Sequence, residues 1–181
     1  INAAGGSAFL FGISSGAGLA LTAVASGLNI PKLALYEPPF MVDDEGHHPP
    51  PDSLEQLKTM IAEDRRADAV KFFMKDMIGL PAIGVFIMKL LPVWKKLKSV
   101  AHTLPYDVAV MGDYSLPEKK AASVNIPTLI SGGDKSQVTL QHAVKRLAEI
   151  MPTDPLPLFP GPPPPVSAKV IAPVLTDFFN S

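Results

Sequence analysis

Apolar and polar positions along the chain fall into short blocks, and the spacing within each block predicts its structure. Ala8 to Phe11 is an apolar run ended by Gly12, and small and apolar residues then predominate from Gly16 to Ala25 until Gly27 supplies a helix stop. That order predicts a strand, a sharp turn and a helix. Leu33, Ala34, Leu35 and Tyr36 form a second buried-strand run, closed by Pro38 and Pro39. Two strands joined through one helix predict a parallel βαβ unit.

From Met41 to Asp52 the chain is acidic and then proline-rich, which predicts a surface excursion. Ser53 with Gln56 three residues on has the capping-box pattern, and Leu54, Leu57 and Ile61 follow on one helical face. Val70, Phe73, Met74, Met77 and Ile78 repeat at i, i+3, i+4, i+7 and i+8, so residues 52 to 104 read as an all-helical insertion. Strand signals return at Ile126 to Ser131 and end at Gly132 and Gly133. Leu140, Val144 and Leu147 mark a further helix, Leu156 to Phe159 a last short strand, and Val170 to Phe179 a terminal helix with Pro173 near its start. The expected organisation is a core element over 1–40, a helical cap over 41–110 and the remaining core over 111–181. The fold class that follows is α/β: a mostly parallel sheet flanked by helices with an inserted cap.

The most apolar stretch, Met77 to Met88, is shorter than the roughly 20 residues a bilayer span needs and contains Pro81, so it predicts a buried or pocket-lining helix and no membrane partner. Composition narrows the function classes further. With 181 residues, 47% hydrophobic and 18% charged, the chain can bury one core. Its net charge of -1 offers no basic field for a phosphate backbone, so nucleic acid is not an expected partner. The absence of Cys removes disulfides, thiolate metal sites and cysteine nucleophiles, and fits a cytoplasmic location. The chain starts at Ile1 without a basic segment ahead of an apolar run, which reads as part of a longer protein rather than as a signal peptide.

Gly12, Ile13, Ser14, Ser15 and Gly16 spell G-x-S-x-G between the first strand and the first helix, the context of a nucleophile elbow. The Ser of such a turn holds a strained backbone, and small neighbours let strand and helix pass closely. Ser14 is therefore the candidate nucleophile, with the Ser15 N–H at the helix N-terminus as an oxyanion donor. A plain glycine-rich turn is the competing reading.

The segments Ser7–Gly16, Leu35-Tyr-Glu-Pro-Pro-Phe40, His102–Asp107 with Met111-Gly-Asp113, and Ile126–Gly133 resemble the α/β-hydrolase superfamily, in particular small bacterial hydrolases with a helical cap. The likeness covers nearly the whole chain but only the second half of that fold, so it implies a C-terminal portion lacking the early strands. It implies a serine hydrolase acting on an apolar ester or similar acyl bond, with no cofactor. The family's acid follows the strand after the cap in a Gly-x-x-Asp pattern; Asp134 stands one residue early there, and Asp113 is the alternative. The family's Gly-x-x-His, aligned on Gly161, places Pro164 where the His belongs, within the tetraproline Pro162–Pro165. A serine without its imidazole is a weak nucleophile, which opens the other reading, a non-catalytic binding or interaction module. None of His47, His48, His102 and His142 is an obvious substitute. His47 and His48 beside Asp43, Asp44 and Glu45 lack a closing ligand spacing, so no metal site is expected. Phe73, Met77 and Trp94 are the candidate substrate contacts, with core packing as the alternative. Without the early strands, Ala8 to Phe11 would leave one edge unpaired, which implies possible self-association.

Overall fold

A computed structural model describes residues 1–43, 47–151, 159 and 167–181. The chain divides into two compact units: 1–46 with 114–181, and 47–113. The first is built on a parallel sheet of three strands in the order β1 (Leu10–Ile13), β2 (Leu33–Tyr36) and β3 (Thr128–Ser131). The register pairs Leu10, Phe11, Gly12 and Ile13 with Leu33 to Tyr36, and these in turn with Thr128 to Ser131. β2 lies between two partners and every one of its residues is buried, which is why it reads as an uninterrupted apolar run.

α1 (Ser15–Ala25) connects β1 to β2 and buries Ala17, Gly18, Ala20 and Leu21. α7 (Glu118–Ala122) leads into β3, and α8 (Val138–Ile150) follows it with Ala143, Val144 and Leu147 buried. The terminal helix α9 (Ala168–Asn180) ends beside the start of β1. There Phe9 stacks on Phe179 at 5.2 Å, and the Lys32 ammonium donates to the Phe178 carbonyl at 2.9 Å and the Ser181 carbonyl at 3.0 Å. A cation at a helix C-terminus meets the carbonyls the helix leaves unsatisfied.

The first strand is displaced two residues from the expected Ala8–Phe11, because pairing with β2 carries through Gly12 to Ile13 before the turn. The third begins at Thr128, since Pro127 contributes only its carbonyl, which accepts from Leu33 N–H. Of the expected last strand, Leu156 to Leu158 lie outside the described residues. Phe159 makes a parallel bridge to Gly133 and a 2.7 Å hydrogen bond to the Gly132 carbonyl.

The second unit is helical: α2 (Ser53–Ala62), α3 (Arg66–Phe72), α4 (Ala82–Lys89), α5 (Val93–Val100) and α6 (Leu104–Met111). Val70, Val85, Trp94 and Ala101 form its core, with Ile61, Met74, Leu80, Met88, Leu97 and Leu104 packed around them. The capping box at Ser53 does not form. Asp52 is the N-cap residue and Ser53 is the first residue of the helix, buried, so the reciprocal side-chain bonds are replaced by backbone pairing from Gln56 to Asp52.

The continuous helix expected through Val70 to Ile78 widens after α3 into a π-helical turn, Phe73–Met77, where Ile78 N–H reaches back to the Phe73 carbonyl. His47 docks on this turn. Its Nε2–H donates to the Asp76 carbonyl at 2.7 Å, and its ring lies against Gly79, where a Cβ would come within 2.8 Å. The expected buried helix from Met77 to Met88 is also corrected: the chain breaks at Gly79–Pro81, and in α4 Val85 is buried while Ile83, Phe86 and Ile87 face solvent.

Candidate functional site at the strand ends

In a parallel sheet the carboxyl ends of the strands all open on one side, and here they deliver Ser14 after β1, Glu37 after β2 and Asp134 three residues beyond β3. Ser14 occupies φ 53°, ψ -129°, a conformation that L-residues adopt at a cost of about 1–3 kcal/mol. Neighbouring bonds hold it there: Ser14 N–H donates to the Tyr36 carbonyl at 2.9 Å, and the Ser14 carbonyl accepts from Ala17 at 2.8 Å. The side chain is exposed, directly ahead of α1. Gly12 is required by close approach, since a Cβ there would press into the Gly16 carbonyl oxygen and come within 2.7 Å of Ala17 Cα. Gly16 is different. A Cβ there meets nothing within 4 Å, so the expectation that both glycines serve the close passage holds for Gly12 alone.

Glu37 is the residue that sequence reasoning did not single out. It is 2% exposed, also at positive φ (48°), and its Oε1 accepts from Gly133 N–H at 2.9 Å and from the Ser136 hydroxyl. Its Oε2 is buried and has no hydrogen-bond partner among the described residues. The carboxylate thus fastens the end of β2 to the turn after β3, the turn that carries Asp134. Its neighbour Tyr36 feels it: burial first, then the Glu37 charge and hydrogen bond, and lastly Asp134, push the phenol up to about 12. A lone Glu ahead of two prolines reads as a solvated loop residue. The signal that sets it apart is its position directly after four buried strand residues.

Asp134 itself is exposed, and its backbone is fixed on both sides. Its N–H donates to the Phe159 carbonyl at 3.0 Å, and its carbonyl accepts from the Gln141 amide at 3.1 Å. Ser14, Ser15 and Asp134 therefore belong to the sheet unit, whereas Asp113, exposed just past α6, belongs to the helical unit along with Phe73, Met77 and Trp94. Trp94 and Met77 are buried within that unit, with the Lys89 ammonium 5.7 Å from the Trp94 ring centroid, and Phe73 is half-buried in the π-helical turn.

Pro164 lies outside the described residues. His142, on α8, is the single histidine of the sheet unit, and its Nδ1 is 2.6 Å from Asp43 Oδ2. That pair lines a surface hollow of about 260 Å³ with Lys145, Arg146 and Glu149, while a second hollow of about 380 Å³ lies among Asp64, Arg66, Ala67, Lys95, Lys98 and Ser99. Neither hollow is lined by Ser14 or Asp134. Among the described residues no group of three or more His, Asp or Glu is placed to hold a metal ion; Asp44 and Glu45 are outside them. No helix among the described residues is long and apolar enough to cross a membrane.

Comparison with solved structures places the fold. An α/β hydrolase from Sphaerobacter thermophilus is 46% identical over 99% of this chain and 70% of its own, with a TM-score of 0.91. A bromoperoxidase from Bacillus anthracis (21% identity, 96% of this chain and 67% of its own, TM-score 0.61) and MenH from S. aureus (20%, 95% and 67%, TM-score 0.58) share the fold. The chain belongs to the α/β-hydrolase family, of whose fold it presents a part. No family model and no curated protein matches it.

Proposed function

We propose that the chain carries the serine-hydrolase chemistry of its family, cleaving an ester or similar acyl bond of an apolar small molecule through Ser14. The observation that carries this reading is the Ser14 backbone. A residue held at φ 53° on an exposed turn between a parallel strand and a helix, against a glycine that admits no Cβ, is strain kept for a purpose. In this reading Ser14 Oγ attacks the substrate carbonyl. The oxyanion that forms is met by the Ser15 N–H at the start of α1, where the helix dipole favours negative charge. Asp134 supplies the acid that would orient an imidazole, on a turn whose geometry Glu37 holds; Asp113 is the alternative acid. Phe73, Met77 and Trp94 remain the proposed substrate contacts; Phe73 is half-buried, and Met77 and Trp94 are buried within the helical unit.

The weak member is the base. Loss of a triad member leaves only oxyanion and binding effects, at most about 10³ to 10⁴ over water and less with the Ser15 N–H as the one proposed oxyanion donor, so the chain should turn over p-nitrophenyl esters barely above background. Pro164 in place of the expected His also supports a second reading, a non-catalytic binding module that kept the turn and lost the triad. A fluorophosphonate probe separates them. A Ser14 adduct by mass spectrometry, lost in Ser14→Ala, supports the hydrolase; no adduct in either the unmodified chain or a Pro164→His variant supports the binding module. The β1 edge, paired to β2 on one side only among the described residues, is the proposed route of self-association, and a sedimentation series over protein concentration tests it.

A further inference from the structure

Basic side chains from two helices converge on one hollow of the helical unit. The hollow, of about 380 Å³, is lined by Asp64, Arg66 and Ala67 around the start of α3 and by Lys95, Lys98 and Ser99 of α5. Lys95 and Lys98 stand three residues apart and so share a face of α5. Trp94 and Leu97 of the same helix pack into the unit's core, which fixes the direction that face takes.

Three cations here meet one carboxylate. Asp64, held at positive φ (54°), takes the Arg66 Nε–H at 2.8 Å, which orients the guanidinium and neutralises one charge. Among the described residues no carboxylate pairs with Lys95 or Lys98, and none takes the Nη–H groups of Arg66. Lys58, Arg65 and Lys75 of the same unit each have a carboxylate partner. The lining therefore carries three positive charges against one negative, an excess of two. Like charges around a concave surface repel one another and focus their field into it, where an anion relieves the repulsion.

Size and donor geometry narrow the anion. The volume is that of a small-molecule site. A carboxylate presents two oxygens in one plane and is satisfied by a single guanidinium fork, whereas donors from three side chains on two helices suit a tetrahedral dianion. We infer that the hollow binds phosphate, free or as the terminal group of a phosphate monoester, through Lys95, Lys98 and the Arg66 Nη groups. Ser99 is not a donor to it, since its hydroxyl already donates to the Lys96 carbonyl at 2.7 Å. This site is independent of the chemistry proposed for Ser14.

The test is calorimetric titration of the full chain with inorganic phosphate, phenyl phosphate and acetate, with the fluorescence of Trp94, the single tryptophan and the neighbour of Lys95, as a second signal. Phosphate and phenyl phosphate are expected to bind about tenfold or more tighter than acetate, and to weaken as salt is added. Equal affinity for the two phosphates supports a site for the free ion, and tighter phenyl phosphate supports a site for the ester. Lys95→Gln and Lys98→Gln should each weaken binding about fivefold to tenfold. Lys96→Gln, next in the chain but outside the hollow, should leave it unchanged. Gln keeps the helix propensity of Lys, so circular dichroism of each variant should match the parent. Absence of phosphate binding, or equal affinity for acetate and phosphate, overturns the inference. So does a loss in Lys96→Gln as large as in Lys95→Gln, because the attraction would then be diffuse charge rather than a site.

Discussion

β2 in the sheet unit and α4 in the helical unit are the two most uniformly apolar elements of their units, and they treat that chemistry in opposite ways. β2 is paired on both sides and buries Leu33, Ala34, Leu35 and Tyr36 completely. α4 buries Val85 and leaves Ile83, Phe86 and Ile87 in water, with Leu90 exposed directly after it. A strand's hydrogen-bonding edges need partners, and the helices that connect parallel strands cover the sheet's faces, so burial follows from topology. A helix satisfies its own backbone. Nothing in its local structure obliges it to hide its apolar side chains, so their exposure does not conflict with the helix being formed.

The same substitution in β2 and directly after α4 should break the comparison most visibly if it is wrong. Leu35→Ala removes a fully buried side chain from the middle of the sheet and should cost about 3–5 kcal/mol in urea unfolding, while Leu90→Ala should stay within about 0.5 kcal/mol. Near-equal losses would mean that α4 is packed after all. Glu37→Ala comes next. It strands the Gly133 N–H and the Ser136 hydroxyl, buried donors that lose their acceptor, and should cost about 2–4 kcal/mol. A neutral result would show that the carboxylate does not hold the turn after β3.

Tyr36 gives a pH signature confined to the sheet unit. Its folded pKa, about 12, lies above the unfolded 10, so its contribution is fully present below pH 10 and is lost as pH rises toward 12. The loss should be on the order of 2 kcal/mol, read from stability curves between pH 9 and 12 by comparing the chain with Tyr36→Phe, in which that part of the slope disappears. The smallest effect belongs to α4. Gly84 lies inside the helix with open space where a Cβ would go, so Gly84→Ala should raise stability by about 0.5–1 kcal/mol. A decrease would show hidden contacts on that helix.

The features most legible in the sequence are those with a short-range cause. The Leu33–Tyr36 strand is bounded by prolines and reads to the residue. The strand-turn-helix at Ser14 follows from G-x-S-x-G, although Gly12 and Ile13, which the motif assigns to the turn, belong to β1 because a partner strand in register outweighs local glycine. The features that escape depend on distant neighbours. Glu37 reaches Gly133 and Ser136 across almost a hundred residues, and its place directly after a buried strand marks it as unusual without naming those partners. His47, in a stretch that reads as a solvated loop, docks on a π-turn that the 3.6 periodicity of Val70 to Ile78 conceals. Met77 to Met88 reads as buried because hydrophobicity alone does not say which side of a helix will find a partner.

The proposal that Ser14 can serve as a nucleophile once a base is supplied is the one to test most directly. The most direct measurement is the rate of p-nitrophenyl acetate hydrolysis by the Pro164→His variant, alone and combined with Ser14→Ala. A general base is worth about 10² to 10⁴ in rate, so the account predicts a gain of about tenfold or more over the unmodified chain, even with imperfect placement, and its complete loss when Ser14 is removed. A Pro164→His rate equal to that of the unmodified chain, or a gain that survives Ser14→Ala, would contradict it.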